Sequence, residues 1–151
     1  MKISIISPWK QGRWFREKEE NYIKRLQRTV SIEIIETKKN KGDSKESVKI
    51  EGERILSKVK KGSFLVALTE KGKRFDSTGF SKWFERTALN GKATIVFIVG
   101  GSSGLYDKIT DRADLELSLS PMTMPHQFAR FFLIEQIYRA FTIIKGEPYN
   151  K

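Results

Sequence analysis

The stretch Thr94-Ile-Val-Phe-Ile-Val-Gly-Gly-Ser-Ser-Gly104 joins a continuous apolar run to a glycine-rich turn. A short run of β-branched and aromatic residues without polar alternation is typical of a strand buried on both faces of a parallel sheet. Glycines directly after such a strand allow positive φ angles and close approach of the backbone to a ligand. In α/β proteins this turn lies at the carboxyl edge of the sheet, where ligands bind. The stretch therefore predicts an α/β fold with a candidate site beside Gly100–Gly104.

Strands and helices alternate on both sides of this stretch. The predicted strands are Met1–Ser7, Val30–Glu36, Phe64–Leu68, Thr94–Val99 and Leu115–Leu119. The predicted helices are Phe15–Arg28, Ser44 or Lys45 to Val59, Ser77 or Thr78 to Leu89, Tyr106–Arg112 and His126–Ile144. The alternation is typical of a mostly parallel sheet flanked by helices, and the length of 151 residues predicts a single α/β domain, residues 1–151. Three loops should meet at the carboxyl edge of this sheet: Thr69–Lys73, Gly100–Gly104 and Ser120–Pro125.

The composition excludes several kinds of chemistry. The chain has no cysteine and one histidine, His126, which excludes disulfides, cysteine nucleophiles and metal sites built from thiolates or several histidines. We therefore expect no metal. No segment approaches the ~20 consecutive apolar residues of a membrane-spanning helix, and the amino terminus lacks the features of a signal peptide. A cytoplasmic protein without a membrane partner is the expectation.

The charge balance points to a polyanionic partner. Lys and Arg number 29 against 18 acidic residues, which gives a net charge of +11. Such an excess attracts nucleic acid, although a solubilising surface would have the same composition. The densest early basic cluster consists of Lys10, Arg13, Arg16, Lys18, Lys24, Arg25 and Arg28. Trp9 and Trp14 flank this cluster, and they either stack on RNA bases or pack under the neighbouring loop.

The glycine-rich turn and the segment Leu117–Gln127 are the two candidate ligand loops. The turn lacks the spacing of a dinucleotide fingerprint and of a phosphate loop, so it indicates either a tight turn or a ligand contact. In Leu117–Gln127, prolines 121 and 125 stiffen the connection between a strand and a helix. That segment is either a plain connection or a rigid collar of backbone groups that reads an adenine edge. Met122 and Met124 would pack on the adenine or fill the core.

The last predicted helix carries both an apolar face and a polar pair. Glu135 and Arg139 are four residues apart, so they can pair on one side of the helix. This arrangement occurs in ordinary surface helices and in active sites alike. The apolar face is predicted to consist of Phe128, Phe131, Phe132, Ile134, Ile137, Tyr138 and Phe141.

Taken together, these segments resemble the RlmH family. The matching segments read Val99-Gly-Gly-Ser-Ser-Gly-Leu105, Leu117-Ser-Leu-Ser-Pro-Met-Thr-Met-Pro-His-Gln127, Ile134-Glu-Gln-Ile-Tyr-Arg-Ala-Phe141 and Gly146-Glu-Pro-Tyr149. RlmH (YbeA-like) proteins belong to the SPOUT superfamily and methylate N3 of a pseudouridine in helix 69 of bacterial 23S rRNA, in the large ribosomal subunit. The resemblance covers nearly the whole chain and is densest from Phe97 to Tyr149.

The resemblance implies a fold, a cofactor and a set of site residues. It implies a SPOUT α/β-knot with a C-terminal trefoil knot, and a homodimer whose active site is shared across the interface. S-adenosyl-L-methionine (SAM) would lie among Leu68, Gly100, Leu119, Ser120, Pro121, Met122, Thr123 and Met124. Glu135, Arg139 and Tyr149 match the positions associated with catalysis, and ribosomal RNA or the ribosome would be the partner.

One position departs from the resemblance. Family members commonly end in Pro-Tyr-His-Lys, whereas this chain reads Pro148-Tyr-Asn-Lys151. Asparagine can act neither as a general base nor as a cation, so catalysis by an imidazole at this position is excluded. Two alternatives therefore stand beside the leading hypothesis: a SPOUT enzyme with another RNA target, and a module that binds SAM or the ribosome without catalysis.

Overall fold

Strands and helices alternate in the structure, a computed structural model that describes residues 1–150. The elements are β1 (Lys2–Ser7), α1 (Arg13–Leu26), β2 (Ser31–Glu36), α2 (Lys45–Leu56), β3 (Phe64–Arg74), α3 (Ser77–Leu89), β4 (Thr94–Ile98), α4 (Asp107–Arg112), β5 (Leu115–Ser118) and α5 (His126–Ile144). The strands form one five-stranded sheet in the order β2-β1-β4-β3-β5, and every pairing is parallel. The predicted α/β class with a parallel sheet is confirmed.

The two faces of the sheet carry separate apolar cores. Helices α1, α3 and α5 pack on one face, and α2 and α4 pack on the other. Within β4, Ile95 and Phe97 point to the first core while Val96 and Ile98 point to the second. Successive side chains of a strand face opposite ways, so a strand covered on both sides needs apolar residues throughout. This requirement explains the unbroken apolar run that indicates the fold.

Strand β3 is longer than predicted. The predicted loop Thr69–Lys73 is wrong as a loop, because the strand continues to Arg74 and pairs again with β5. Leu68 and Lys73 both lie opposite Leu117, so the residues between them form an excursion from the sheet. Gly72 permits the return: a Cβ there would lie 2.6 Å from the carbonyl carbon of Glu116. Because this segment is polar, its sequence lacks the apolar pattern of a strand, and the second half of β3 was not predicted.

Two further details differ from the sequence prediction. Helix α3 is capped by Asp76 rather than by Ser77 or Thr78, because the Asp76 carboxylate accepts a 2.6 Å hydrogen bond from the Gly79 N–H. Phe128 and Phe132 were predicted on the apolar face of α5, but they are 51% and 40% exposed. The residues of α5 that are buried include Arg130, Leu133, Ile134, Ile137 and Ala140. Within residues 1–150, no helix is both long and apolar enough to cross a membrane.

Candidate active site

The carboxyl ends of β3, β4 and β5 surround a cavity of about 910 Å³. Its apolar wall is formed by side chains at the strand ends, among them Val99 and Leu117. Most of the residues that the resemblance assigns to the cofactor line it: Leu68, Gly100, Leu119, Ser120, Met122, Thr123 and Met124. Pro121 lies in the same loop but does not line the cavity. The structure thus brings this predicted set together, and its role in binding SAM stays a prediction.

The glycine-rich turn is both tight and exposed to the cavity. Gly104 has a φ of +79°, and its N–H donates a 3.1 Å hydrogen bond to the Gly101 carbonyl. A Cβ on Gly100 would lie 3.0 Å from the side chain of Leu105 and 3.3 Å from the carbonyl carbon of Gly104. Glycine is therefore needed for the turn itself. Gly100, Gly101 and Gly104 also line the cavity, so the tight turn is confirmed and a contact with a ligand stays a prediction.

Side-chain hydrogen bonds hold the loop after β5 in shape. Ser118 Oγ donates to the Ser120 carbonyl at 3.0 Å, and Ser120 Oγ accepts from the Met122 N–H at 3.0 Å. Thr123 Oγ1 donates to Glu70 Oε1 at 2.9 Å, which ties the loop to the excursion of β3. Met122 is 76% exposed and fills no core, whereas Met124 is half-buried at the cavity wall. These hydrogen bonds fix the shape of the loop, and its role as a collar that reads an adenine edge stays a prediction.

The three predicted catalytic residues contact one another. Arg139 pairs with Glu135 on α5, as the spacing predicted, and Tyr149 Oη donates to Glu135 Oε1 at 3.1 Å. Tyr22 Oη lies 3.2 Å from Tyr149 Oη, and Arg139 Nη1 donates to Asn150 Oδ1 at 3.1 Å. The side chains of Glu135 and Arg139 are only 14% and 25% exposed, which is unlike an ordinary surface pair. We refer to Glu135, Arg139, Tyr149 and Asn150 as the polar cluster.

The protonation states in the polar cluster follow from its contacts. The hydrogen bond from Arg139 to Glu135 raises the pKa of the guanidinium further, so this side chain stays cationic. Burial, and then the hydrogen bond with Tyr22, raise the pKa of the Tyr149 phenol above its usual value, so Tyr149 stays a neutral hydrogen-bond donor near neutral pH. Within residues 1–150, the buried Nε of Arg139 has no hydrogen-bond acceptor. The cluster therefore offers a fixed cation with a spare buried donor.

Within one chain, the polar cluster lies outside the cavity. His126 lines the cavity at the start of α5, and no member of the polar cluster lines it. Ala129 is the last residue of α5 that lines the cavity, and the helix rises about 1.5 Å per residue, so Glu135 and Arg139 lie roughly 9 Å and 15 Å further along the axis. A single chain therefore does not place the two predicted groups of site residues around one ligand.

A buried ionic network that the sequence analysis missed holds α5 beside the cavity. The guanidinium of Arg130 is 2% exposed and binds Glu19 through two hydrogen bonds of 2.7 and 3.1 Å. It also donates to Ser7 Oγ at 2.9 Å and to Glu36 Oε1 at 3.0 Å. An arginine among phenylalanines gives no periodic signal, because its neighbours suggest an apolar helix face. The one sequence signal for its burial is its spacing of three and four residues from Leu133 and Ile134, which places it on the same helix face as these apolar residues.

The network extends to the first turn of α5. Gln11 Nε2 donates to Glu19 at 2.8 Å and to the Gln127 carbonyl at 3.1 Å, and Gln11 Oε1 accepts from the Trp9 indole at 2.8 Å. The buried Trp9 ring meets the His126 ring edge-on at 4.4 Å. Burial, and then the charge of Lys39, lower the pKa of His126. Of the two alternatives for Trp9, packing beneath the neighbouring loop is the one that the structure shows. Through these contacts the network holds the first turn of α5, which lines the cavity.

The basic cluster lies largely on the surface. Six of its members are exposed (Lys10, Arg13, Lys18, Lys24, Arg25 and Arg28), and Arg16 is half-buried with a hydrogen bond to the Gln11 carbonyl. Trp14 is 58% exposed and stacks edge-on against Phe15 at 4.9 Å. Stacking of Trp14 on RNA bases stays a prediction.

Comparison with known proteins identifies the family. A family model described as "Predicted SPOUT methyltransferase" matches residues 1–150, which gives the class of the protein. Ribosomal RNA large subunit methyltransferase H of Streptococcus pneumoniae strain CGSP14 is 41% identical over 159 aligned residues, covering 100% of both chains. The same protein of strain JJA shows the same identity and coverage. The chain belongs to the RlmH family of SPOUT methyltransferases, as the motifs predicted.

Proposed function

We propose that this protein transfers a methyl group from SAM to N3 of a pseudouridine in helix 69 of 23S rRNA. The coarser part of this function, methylation of ribosomal RNA, follows from the family and from relatives named as ribosomal RNA large subunit methyltransferases. The observation that carries the proposal is the cavity at the carboxyl edge of the sheet, lined by seven of the eight residues that the resemblance assigns to the cofactor. A ribosomal substrate implies action in the cytoplasm.

The residues around the cavity suit SAM. Leu68, Leu117 and Leu119 offer apolar surface for an adenine ring, and the collar after β5 supplies backbone donors and acceptors outside regular structure. The hydroxyls of Ser120 and Thr123 add polar atoms at the same wall. Ligand sites of this size are typically apolar with a few fixed polar groups. When bound, SAM supplies an activated methyl group, so the protein has to orient the acceptor and exclude water.

The polar cluster provides what the acceptor base requires. The N3 of a uracil-type ring must lose a proton before it attacks, and a fixed cation stabilises the resulting anion. Arg139 is held cationic and has a free buried Nε donor. Glu135 already accepts from Arg139 and Tyr149 through Oε1 and from Gln136 through Oε2 at 2.9 Å. Its carboxylate is therefore engaged, which favours orientation of Arg139 over direct proton removal, and the N3 proton would pass to solvent water. Tyr149 and Asn150 would position the base.

We propose further that the enzyme is a homodimer in which the polar cluster of one subunit completes the cavity of the other. The separation of the two groups along α5 supports this arrangement. So does the exposure of Trp14, Phe128 and Phe132, which lie on α1 and α5. Phe128 contacts Phe15 at 4.9 Å, and Phe15 contacts Trp14, so these helices share an aromatic surface. Exposed apolar surface of this kind marks protein interfaces. The trefoil knot is the remaining expectation from the family.

Mixed dimers test the shared site. Arg139→Ala disables the polar cluster, and Thr123→Trp obstructs the cavity from an exposed wall position. If the two groups meet across a two-fold interface, a mixed dimer has one site with both changes and one intact site, so it should regain about half of the wild-type rate. Differently tagged subunits, purified as mixed dimers, would be assayed for methyl transfer. Mixed dimers as inactive as both parent variants would show that each site belongs to one chain.

The central experiment is methyl transfer from labelled SAM to ribosomes that lack the modification, followed by mapping of the labelled nucleotide. We expect label at N3 of the helix 69 pseudouridine. Label at another nucleotide would identify a SPOUT enzyme with a different RNA target. Measurable SAM binding without transfer would identify a module that has lost catalysis. In that case Asn150→His, which restores the residue common in the family, should recover activity if the asparagine is the cause.

A further inference from the structure

A second cavity, of about 310 Å³, lies between the carboxyl-terminal ends of α1 and α5. Three cationic side chains line it, Arg25, Arg28 and Lys145, together with Thr29 and Tyr138. We call this cavity the basic notch. It lies on the same face of the sheet as the polar cluster, because both include residues of α5 and of the segment after α5.

The cations of the basic notch are incompletely neutralised. Within residues 1–150, neither Arg25 nor Arg28 forms an ion pair, and both are exposed. Lys145 pairs with Glu147 at 2.9 Å and donates to Thr29 Oγ1 at 3.2 Å, with its side chain 45% exposed. Three cations therefore face one carboxylate around a concave surface. Concave surfaces of one charge concentrate the potential and attract anions.

A row of aromatic rings joins the basic notch to the polar cluster. The Arg25 guanidinium lies 5.8 Å from the centre of the Tyr138 ring. Tyr138 meets Tyr149 edge-on at 4.8 Å, and Tyr149 faces the Arg139 guanidinium at 4.9 Å. Two aromatic rings, those of Tyr138 and Tyr149, thus lie between the basic notch and Arg139, the cation that we assign to the target base. An anion bound there would belong to the immediate surroundings of the reacting nucleotide.

We infer that the basic notch binds a backbone phosphate of the substrate RNA next to the methylated nucleotide. The inference rests on the proposed function, since it requires an RNA whose target base lies at the polar cluster. Guanidinium groups match the geometry of phosphate, and paired arginines with a lysine are typical phosphate contacts. Phosphate contacts fix the position and register of the nucleic acid without reading its sequence. The notch would therefore hold the strand while Arg139 and Tyr149 engage the base.

The test compares two triple variants that lose equal charge. One carries Arg25→Gln, Arg28→Gln and Lys145→Gln. The control carries Lys49→Gln, Lys58→Gln and Lys61→Gln, exposed positions on or just after α2, which packs on the opposite face of the sheet. Binding to ribosomes lacking the modification would be measured by co-sedimentation over a salt series, and methylation by transfer from labelled SAM. Circular dichroism and SAM titration would establish that the fold and the cavity are intact in both variants.

We expect the notch variant to bind ribosomes at least ~10-fold more weakly and to raise KM for ribosomes similarly, with kcat within about two-fold. The slope of log affinity against log salt should become shallower by about one, as for loss of one phosphate contact. The control should keep the wild-type slope. Equal behaviour of the two triple variants would overturn the inference. If the wild type binds ribosomes without methylating them, the proposed function fails while the binding comparison still decides the role of the notch. If the wild type does not bind ribosomes, the notch inference fails too.

Arg28→Gln alone provides a variant with little risk of misfolding, because this side chain is exposed and makes no ion pair within residues 1–150. It should show the same direction of change, with a smaller rise in KM of about three- to ten-fold. An unchanged KM in Arg28→Gln together with an unchanged salt slope would exclude Arg28 from the phosphate contact.

Discussion

Replacing Arg130 with alanine should lower the free energy of unfolding by about 3–5 kcal/mol, the range found when one partner of a buried ion pair is removed. Both Arg130 and Glu19 are almost fully buried, so the change leaves the Glu19 carboxylate without its cation in an apolar layer. Ser7 and Glu36 lose a donor at the same time. Urea denaturation followed by circular dichroism would measure the loss, provided that the transition is two-state.

A surface ion pair supplies the matched control for this variant. Arg13 and Glu17 pair on α1 with side chains that are 93% and 60% exposed, so Arg13→Ala should change the stability little. The double variant Arg130→Met with Glu19→Leu removes the unpaired buried carboxylate and should recover part of the loss, although Gln11, Ser7 and Glu36 each lose one hydrogen-bond partner. Arg130→Ala with near wild-type stability would show that water or a rearrangement compensates the Glu19 carboxylate.

Arg139→Ala should reduce kcat by about 100- to 1000-fold, the effect expected when a preorganised group that stabilises a developing anion is lost. The affinity for SAM should stay unchanged, because Arg139 does not line the cavity and is assigned to the acceptor base. Single-turnover methyl transfer to ribosomes lacking the modification, together with SAM titration, separates the two quantities. A parallel loss of SAM affinity would indicate that Arg139 supports the cavity rather than the acceptor.

Two further variants sharpen this result. Arg86→Ala removes an exposed arginine of α3 and should leave kcat unchanged. Arg139→Lys keeps a positive charge but lacks the spare Nε donor, so it should retain only part of the activity. Activity of Arg139→Ala within a few-fold of the wild type would remove Arg139 from the reaction and leave its pairing with Glu135 as a structural contact.

The sequence predicts the sheet well because its central strands carry an unambiguous pattern. Thr94–Val99 differs from the observed β4 by one residue, and the predicted bounds of α5, His126 to Ile144, agree with the structure. The second half of β3 escaped prediction because its residues are polar and its pairing depends on Gly72 approaching the backbone of β5. A close approach between distant segments leaves no periodic pattern in either one.

The candidate site was only partly predictable for the same reason. Motif order located the cavity-lining residues of the Gly100 turn and the loop after β5, and the four-residue spacing predicted the pair of Glu135 and Arg139. The contact of Tyr149 with Tyr22 joins residues 127 positions apart, and nothing local signals it. Arg130 was overlooked because a charged residue on an apolar helix face interrupts the hydrophobic pattern. Its burial is explained only by its carboxylate partners, which are distant in sequence.

The Arg130 network also affects when the chain can fold during its synthesis. Arg130 follows Glu19 by 111 positions and Ser7 by 123, so the amino-terminal half leaves the translating ribosome long before its cation exists. Until α5 emerges, the Glu19 carboxylate has no cation to pair with, so burying it is unfavourable and the apolar core around it cannot form. We therefore expect the domain to fold slowly and only after α5 has been synthesised, since contacts between distant positions delay folding. Nascent chains released before α5 would be targets for chaperones and proteases.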